Sequence, residues 1–227
     1  MKNRIMVALD VPHADQALAL RDQLVGSVGW LKVGLRLFVA EGPRLIESLQ
    51  RDHRIFLDLK FHDIPNTVAE AVHSAGALGV DMVNVHASGG QAMLEAAAQA
   101  AADYPSMQLI AVTVLTSTTP DAHTQERVLS AAAMAQQAGL AGVVSSVHEV
   151  AALKARCGKD FVTVTPGIRW GGQDVQDQAR VATPADAVNA GSDYLVIGRP
   201  IVQANHPAQA AAEAVAMMEQ ARIKMIV

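Results

Sequence analysis

Short runs of β-branched and other apolar residues recur along the chain at regular intervals. Several are nearly continuous in valine, isoleucine and leucine, which is typical of parallel strands that are packed within and covered by helices on the outside. We therefore predict eight buried strands. They are residues 4–10, 30–34, 54–60, 82–87, 108–115, 142–146, 161–167 and 194–198.

Stretches with helical spacing lie between these runs. Pro65, the pair Thr183–Pro184 and Pro207 are predicted to begin helices, since proline is favoured at the first helical position. Glycines follow four of the stretches, where a left-handed residue ends a helix at little cost. They are Gly26, Gly79, Gly139 and Gly191.

Eight strand–helix units without a linker or low-complexity break predict an α/β fold, a single-domain (β/α)8 TIM barrel over residues 1–227. An open doubly wound sheet is the second possibility.

Composition narrows the class of protein. The net charge is -4 and the chain has no basic run, so nothing predicts binding to nucleic acid or to an anionic membrane surface. The apolar residues from Ile5 to Leu9 are too few for a signal-peptide core or a membrane span. Cys157 is the only cysteine, which excludes an internal disulfide and suits a reducing compartment. We expect a cytoplasmic protein.

Polar residues collect at the carboxyl ends of the predicted strands, where barrels of this kind hold their active sites. They are Asp10, Lys32, Asp58, Lys60, His86, Thr116, Ser117, Arg169 and Arg199, with Pro166 and Gly198 in the same segments as the two arginines. Scattered surface charge would show no such bias.

The segment DLKFHDIPNT follows the apolar residues 55–57. Alternation along a strand places Asp58 and Lys60 on the same side, and Asp63 follows in the next loop. A salt bridge that closes a strand end is the plainer interpretation. Because charges that emerge from a buried strand must be paired at a cost, we favour a functional site.

Two glycine–arginine pairs end the last two strands. Gly167 with Arg169 and Gly198 with Arg199 are suited to bind a phosphate, since glycine exposes backbone N–H groups and guanidinium donates paired hydrogen bonds. Tight turns with surface arginines are the alternative. The polar segment 169–180 is long for such a connection and predicts a lid, although a solvated loop would have the same composition.

Other kinds of chemistry find little support. The histidines, including His62 and His86, show no metal-binding spacing, and the ammonium of Lys60 opposes a cation nearby. Ser117 and Ser145 lack a nucleophile elbow, and Gly89–Gly90 lacks the context of a dinucleotide site. We expect neither a metal nor a cofactor.

The motifs DLKFHDIPNT, LKVG, VNVHASGG, VTVLTS, VTPGIR and VIGRP occur in this order over nearly the whole chain. In this it resembles the orotidine 5'-phosphate decarboxylase family. The DxKxxD pattern alone is shared with metal-dependent decarboxylases and aldolases of sugar phosphates, in which an acidic metal ligand is expected where this chain has Lys32. A lysine at this position is therefore similar to what the metal-free enzymes have there.

The resemblance implies a homodimer that decarboxylates orotidine 5'-monophosphate (OMP) to UMP. It assigns protonation of the pyrimidine C6 to Lys60, with Asp58 facing the departing carboxylate and Lys32 and Asp63 continuing the charge network. Asp63 and Thr67 would come from the partner subunit. The remaining substrate-binding residues would be Asp10 at the ribose, Thr116 and Ser117 near the pyrimidine or ribose, Gln178, Gly198 and Arg199 at the phosphate, Arg169 near the lid, and Pro166.

Two alternatives stay open. A metal-dependent decarboxylase or aldolase of a sugar phosphate would lose activity on chelation. A non-catalytic nucleotide-binding barrel would bind UMP without turnover, although binding alone does not require the pair Asp58 and Lys60.

Overall fold

The computed structural model describes residues 1–115, 117–170 and 181–224. Eight parallel strands pair in chain order, and β1 pairs with β8 to close the barrel. The strands are β1 (Ile5–Ala8), β2 (Trp30–Gly34), β3 (Arg54–Phe61), β4 (Met82–His86), β5 (Gln108–Val112), β6 (Gly142–Val144), β7 (Val162–Thr165) and β8 (Tyr194–Ile197). The predicted barrel is confirmed.

Helices connect successive strands. They are α1 (Ala14–Leu24), α2 (Leu35–Glu41), α3 (Arg44–Leu49), α4 (Pro65–Ala77), α5 (Gln91–Ala101), α6 (Thr124–Gln137), α7 (Val147–Cys157), α8 (Pro184–Ala190), α9 (Arg199–Val202) and α10 (Pro207–Lys224). Short 3-10 turns cover Lys2–Arg4 and Ala87–Gly89. The predicted helix starts at Pro65, Pro184 and Pro207 are all confirmed. No helix in the described ranges is long and apolar enough to cross a membrane.

Alternation along the strands separates two apolar regions. Side chains at odd positions, such as Val7, Leu31 and Leu57, pack outward against the helices in one large core. Side chains at even positions fill the barrel interior, and this inner cluster comprises Met6, Ala8, Trp30, Phe56, Met82, Ile110, Val164 and Val196. Apolar side chains thus seal the interior below the carboxyl ends of the strands, which are left free for polar groups.

A separate ion pair stabilises the opposite end of the barrel. The Nζ atom of Lys154 on α7 lies 2.6 Å from Oδ2 of Asp193, which also accepts from the backbone N–H and the hydroxyl of Thr163 on β7. Asp193 immediately precedes β8, so this cluster lies at the amino-terminal face. Polar groups at that face of a barrel serve stability.

Helix α8 begins with a capping box. The Thr183 hydroxyl accepts from the N–H of Asp186 at 3.1 Å, and the Asp186 carboxylate accepts from the N–H of Thr183 at 2.9 Å. The hydrogen bonds from Thr183 lower the pKa of Asp186. The helix ends at Gly191, whose φ of 90° confirms the predicted left-handed residue.

We expect Thr183→Ala to lower the free energy of unfolding by about 0.5–2 kcal/mol, because the first turn of α8 loses its cap. Urea denaturation monitored by circular dichroism measures this change. The matched control is Thr118→Ala, at an exposed threonine whose hydroxyl caps no helix, which should stay within about 0.5 kcal/mol of the parent. Equal stability of the two variants would contradict a stabilising role for the cap.

Candidate active site

A cavity of about 230 Å³ opens at the carboxyl ends of the strands. Its apolar floor continues the barrel interior, and its rim carries charged residues from opposite sides of the barrel. The lining residues are Ala8, Asp10, Lys32, Phe56, Asp58, Lys60, Val112, Val114, Leu115, Val144, Pro166, Gly167, Arg169, Val196, Gly198 and Arg199. The location is the one predicted for polar strand ends.

Strand β3 bulges where it reaches this cavity. Leu57 pairs with Val83 and Phe61 pairs with Val85, so four steps along β3 match two along β4. Within the bulge Lys60 adopts a φ of 54°, which makes it the one non-glycine with positive φ in the described part of the chain. This conformation costs a residue with a Cβ roughly 1–2 kcal/mol. Strain of this kind persists only where surrounding contacts hold it.

Four charged side chains from β2, β3 and the segment after β1 form a continuous network. The Nζ atom of Lys60 lies 2.6 Å from Oδ1 of Asp58, and Nζ of Lys32 lies 3.3 Å from Oδ2 of the same carboxylate. Lys32 also lies 3.3 Å from Oδ1 of Asp10. The expectation that Asp58 and Lys60 meet on one side is therefore confirmed, although the contact is made through a bulge rather than a regular strand.

The network fixes the charge of its buried members. Burial opposes the charge on Asp58, but Lys32, Lys60 and the hydrogen bonds it accepts outweigh burial and lower its pKa. Burial likewise opposes the charge on Lys32, but Asp58 and Asp10 outweigh it and raise the pKa of the ammonium. Carboxylate and ammonium thus coexist, fully charged, at the wall of the cavity near neutral pH.

Asn84 on β4 also contacts this network, and sequence reasoning did not single it out. Its side chain is fully buried; Nδ2 donates to Oδ1 of Asp58 at 2.7 Å, and Oδ1 accepts from the backbone N–H of Lys60 at 2.8 Å. The first residues of the run 82–87 are apolar except for Asn84, and strand alternation places its amide inward. This pattern was the signal that could have identified it.

The two glycine–arginine pairs lie where the sequence predicts. Gly167 with Arg169 and Gly198 with Arg199 line the cavity, as does Pro166. The backbone N–H of Arg169 donates to the carbonyl of Ala182 at 2.9 Å. This contact joins the first residue of the predicted lid to Ala182, two residues beyond its end; residues 171–180 lie outside the described residues.

Other predicted site residues do not line the cavity of their own chain. Asp63 and Thr67 are exposed, and the Asp63 carboxylate accepts from the N–H of Ile64 at 2.7 Å. Among the described residues, neither belongs to the cavity wall, and the same is true of exposed Ser117. Thr116 and Gln178 lie outside the described residues.

The apolar part of the cavity wall was missed by sequence reasoning. Phe56, Val112, Val144 and Val196 belong to it, and each occupies an inward position of its strand. Strand alternation was the signal that would have identified them. The cavity therefore has an apolar wall facing a charged network, and ligand sites typically combine apolar contacts with a few placed polar groups.

His62, which follows β3, and His86, the last residue of β4, stack on each other beside the network. The rings of His62 and His86 have centroids 5.4 Å apart, and Nδ1 of His86 lies 2.7 Å from the Ser88 hydroxyl. Burial, with His62 and Lys60 nearby, lowers the pKa of His86. Neutral imidazole is therefore the dominant form near pH 7.

The arrangement brings a positioned proton donor, a fixed carboxylate and a second ammonium to an otherwise apolar cavity that arginines border on another side. Such a site can stabilise negative charge that develops on a bound carbon atom and then protonate that atom. The arginines can hold an anionic group away from the reacting centre.

Comparison with known proteins supports the same kind of site. Residues 3–214 match the family model described as "Orotidine 5'-phosphate decarboxylase / HUMPS family". A relative named orotidine 5'-phosphate decarboxylase from Pasteurella multocida is 51% identical over 220 residues, covering 92% of this chain and 94% of the relative. A relative of the same name from Moorella thermoacetica is 47% identical, with 97% and 94% covered.

A solved structure is also similar. The crystal structure of orotidine 5'-phosphate decarboxylase from Lactobacillus acidophilus superposes with a TM-score of 0.83 at 36% identity, covering 95% of this chain and 99% of that one. With the family model and the relatives, this agreement shows that the chain belongs to the orotidine 5'-phosphate decarboxylase / HUMPS family.

Proposed function

We propose that this protein decarboxylates OMP to UMP and carbon dioxide in pyrimidine biosynthesis, with Lys60 as the proton donor. The observation that carries this assignment is the 2.6 Å contact between Lys60 and Asp58 at the wall of a cavity that Arg169 and Arg199 also line. Relatives that cover more than 90% of the chain carry the name of this enzyme.

The chemistry explains why an ammonium group is needed. Loss of carbon dioxide from C6 leaves an electron pair in the plane of the pyrimidine, where the ring π system does not delocalise it. Lys60 stabilises this carbanion by its charge and then transfers a proton to C6. Enzymes lower barriers by about 8–23 kcal/mol, and placed charges in a site that excludes water supply much of this.

Asp58 has two roles in this proposal. It orients Lys60 and Lys32 through contacts of 2.6 and 3.3 Å, and it faces the substrate carboxylate. Two like charges about 4 Å apart repel by ~4 kcal/mol at an effective dielectric constant near 20. This repulsion favours loss of carbon dioxide but falls short of the whole barrier reduction, so carbanion stabilisation by Lys60 makes the larger contribution.

The remote end of the substrate is held separately. We assign the phosphate to Arg199 and Gly198 with Arg169 nearby, and the ribose to Asp10, all of which line the cavity. Gln178 from the lid segment belongs to the same phosphate assignment, and Thr116 and Ser117 to the pyrimidine or ribose. Binding energy at the phosphate holds the pyrimidine against the charged network.

We further propose a homodimer in which Asp63 and Thr67 complete the partner's site. Both residues are exposed and lie away from the cavity of their own chain. The adjoining Ile64 is 66% exposed, an apolar side chain suited to an interface. A cytoplasmic location accords with Cys157, which has no disulfide partner within the chain.

A metal-dependent reaction on a sugar phosphate is the second candidate in this family, and the charges of the site disfavour it. Lys32 and Lys60 both contact Asp58, so two ammonium groups occupy the positions that a cation would need around this carboxylate.

Purified protein mixed with OMP tests the proposed activity. We expect the absorbance of OMP to fall as UMP and carbon dioxide accumulate in equal amounts. A protein that binds UMP tightly but leaves OMP unchanged would be the non-catalytic nucleotide-binding barrel instead.

A further inference from the structure

We propose that Asn84 is a positioning residue for decarboxylation, acting through both Asp58 and Lys60. This inference rests on the proposed function. Asn84 is absent from the cavity wall among the described residues, so it acts on the reaction through its two neighbours rather than by touching substrate.

The orientation of the Asn84 amide follows from its partners. The backbone N–H of Lys60 is able only to donate, so it requires the amide oxygen, and the two groups are 2.8 Å apart. The amide nitrogen then faces the Asp58 carboxylate, which as an anion only accepts, at 2.7 Å. Neither a reversed amide nor an ionised carboxylate at position 84 satisfies both contacts.

The bulge in β3 explains why this amide matters. Between the pairs Leu57–Val83 and Phe61–Val85, the β3 segment that contains Asp58 and Lys60 leaves the regular ladder with β4. Asn84 lies between the two paired residues of β4, and its side chain bonds the N–H that the bulge displaces. It thereby holds Lys60 in its left-handed backbone conformation.

The same amide fixes the carboxylate to which Lys60 bonds. Oδ1 of Asp58 accepts from both Asn84 and Lys60, while Oδ2 contacts Lys32. Asn84 is fully buried, so water is unable to replace its hydrogen bonds. Loss of the amide would leave the carboxylate free to rotate and the bulge free to relax, and both motions displace the Lys60 ammonium from C6.

Two variants test this role. Asn84→Leu removes donor and acceptor at similar size, and Asn84→Asp keeps the shape and the acceptor but places a second carboxyl beside Asp58. We expect kcat for OMP to fall by about 10–100-fold in each, since a displacement near 1 Å costs on the order of 10²-fold. Affinity for UMP should stay within about twofold of the parent, because the cavity wall is unchanged.

The titration of Asp58 separates positioning from a general loss of structure. A hydrogen bond to the ionised carboxylate lowers its pKa, so removing the donor raises the pKa. The charged groups that face Asp58 are Lys32 from β2 and Lys60 from β3, with Asp10 behind Lys32 and His86 near Lys60. These groups remain in both variants, so the acid limb of kcat/KM should move to higher pH.

The closing experiment records the carboxyl ¹³C titration of Asp58, assigned by its absence in Asp58→Asn, together with kcat and UMP affinity. Gln108→Leu is the control, since Gln108 is a polar residue of the neighbouring strand β5 whose Oε1 is buried without a hydrogen-bond partner in the described structure. It should leave the titration and kcat unchanged.

An unshifted Asp58 titration in the Asn84 variants would overturn the inference. This holds if kcat is retained, and also if kcat falls only in proportion to the folded fraction of the protein. If Asn84→Leu fails to fold, Asn84→Asp decides through kcat and UMP affinity, because it has nearly the parent shape but its own carboxyl also shifts the Asp58 titration. A parent protein without activity on OMP would refute the proposed function alone, since the Asp58 titration would still report whether Asn84 controls this carboxylate.

Discussion

Replacing Lys60 with alanine is expected to lower kcat for OMP decarboxylation by at least about 10⁴-fold. A positioned general acid contributes about 10²–10⁴-fold, and the same ammonium also stabilises the carbanion. Alanine has a Cβ atom, as lysine has, so the substitution leaves the steric cost of φ 54° at this position unchanged. Asp58 keeps its contacts with Lys32 and Asn84. Single-turnover kinetics with saturating protein measures the chemical step directly.

Lys154→Ala is the matched control for this change. It also removes a lysine that contacts an aspartate at 2.6 Å, but at the opposite end of the barrel. We expect a less stable protein with the parent kcat per folded molecule. A Lys60→Ala protein that decarboxylates OMP at the parent rate would show that another group protonates C6.

Mixing two inactive variants is expected to restore activity. Lys60→Ala and Asp63→Ala should each be inactive as homodimers. In a mixed dimer, the chain with intact Lys60 receives an intact Asp63 from its partner. Random exchange makes about half of the dimers mixed, each with one complete site, so about one quarter of all sites recover. Activity after unfolding and refolding together, with mixed dimers quantified by native mass spectrometry, measures this recovery.

The control mixes Lys60→Ala with Asp58→Ala. Both residues serve the site of their own chain in this proposal, so each mixed dimer still contains two defective sites and no activity should return. If Asp63 served its own chain, the first mixture would be equally inactive. Recovery in the first mixture alone is the result expected of a shared site.

The sequence predicts the barrel well because its signals are local. Each strand is a short apolar run and each helix start carries its own proline or cap, as at Pro65 and Thr183. Strand ends are less accurate. The run 108–115 is predicted as strand, but β5 ends at Val112 and the next residues leave the sheet, with Val114 and Leu115 lining the cavity.

The candidate site is only partly predictable, because some of its contacts depend on register between strands. Asp58 and Lys60 are recognisable as charges after an apolar run. The role of Asn84 depends on a bulge in β3 that shifts the pairing of β3 with β4. No local pattern in either strand predicts that shift.

Asp63 shows a second limit of sequence reasoning. Its distance of three residues from Lys60 suggests a common site. The chain, however, turns at Ile64 to begin α4, and Asp63 stays exposed outside its own cavity. Spacing in sequence gives no information about which subunit a loop residue serves.

The most direct test of the account measures OMP turnover by protein freed of metal. Protein dialysed against a chelator and assayed in its presence should decarboxylate OMP at the untreated rate, because Lys32 and Lys60 supply the positive charge. Addition of magnesium should change nothing. Activity that disappears on chelation and returns with magnesium would contradict the account and identify the protein as a metal-dependent member of its family.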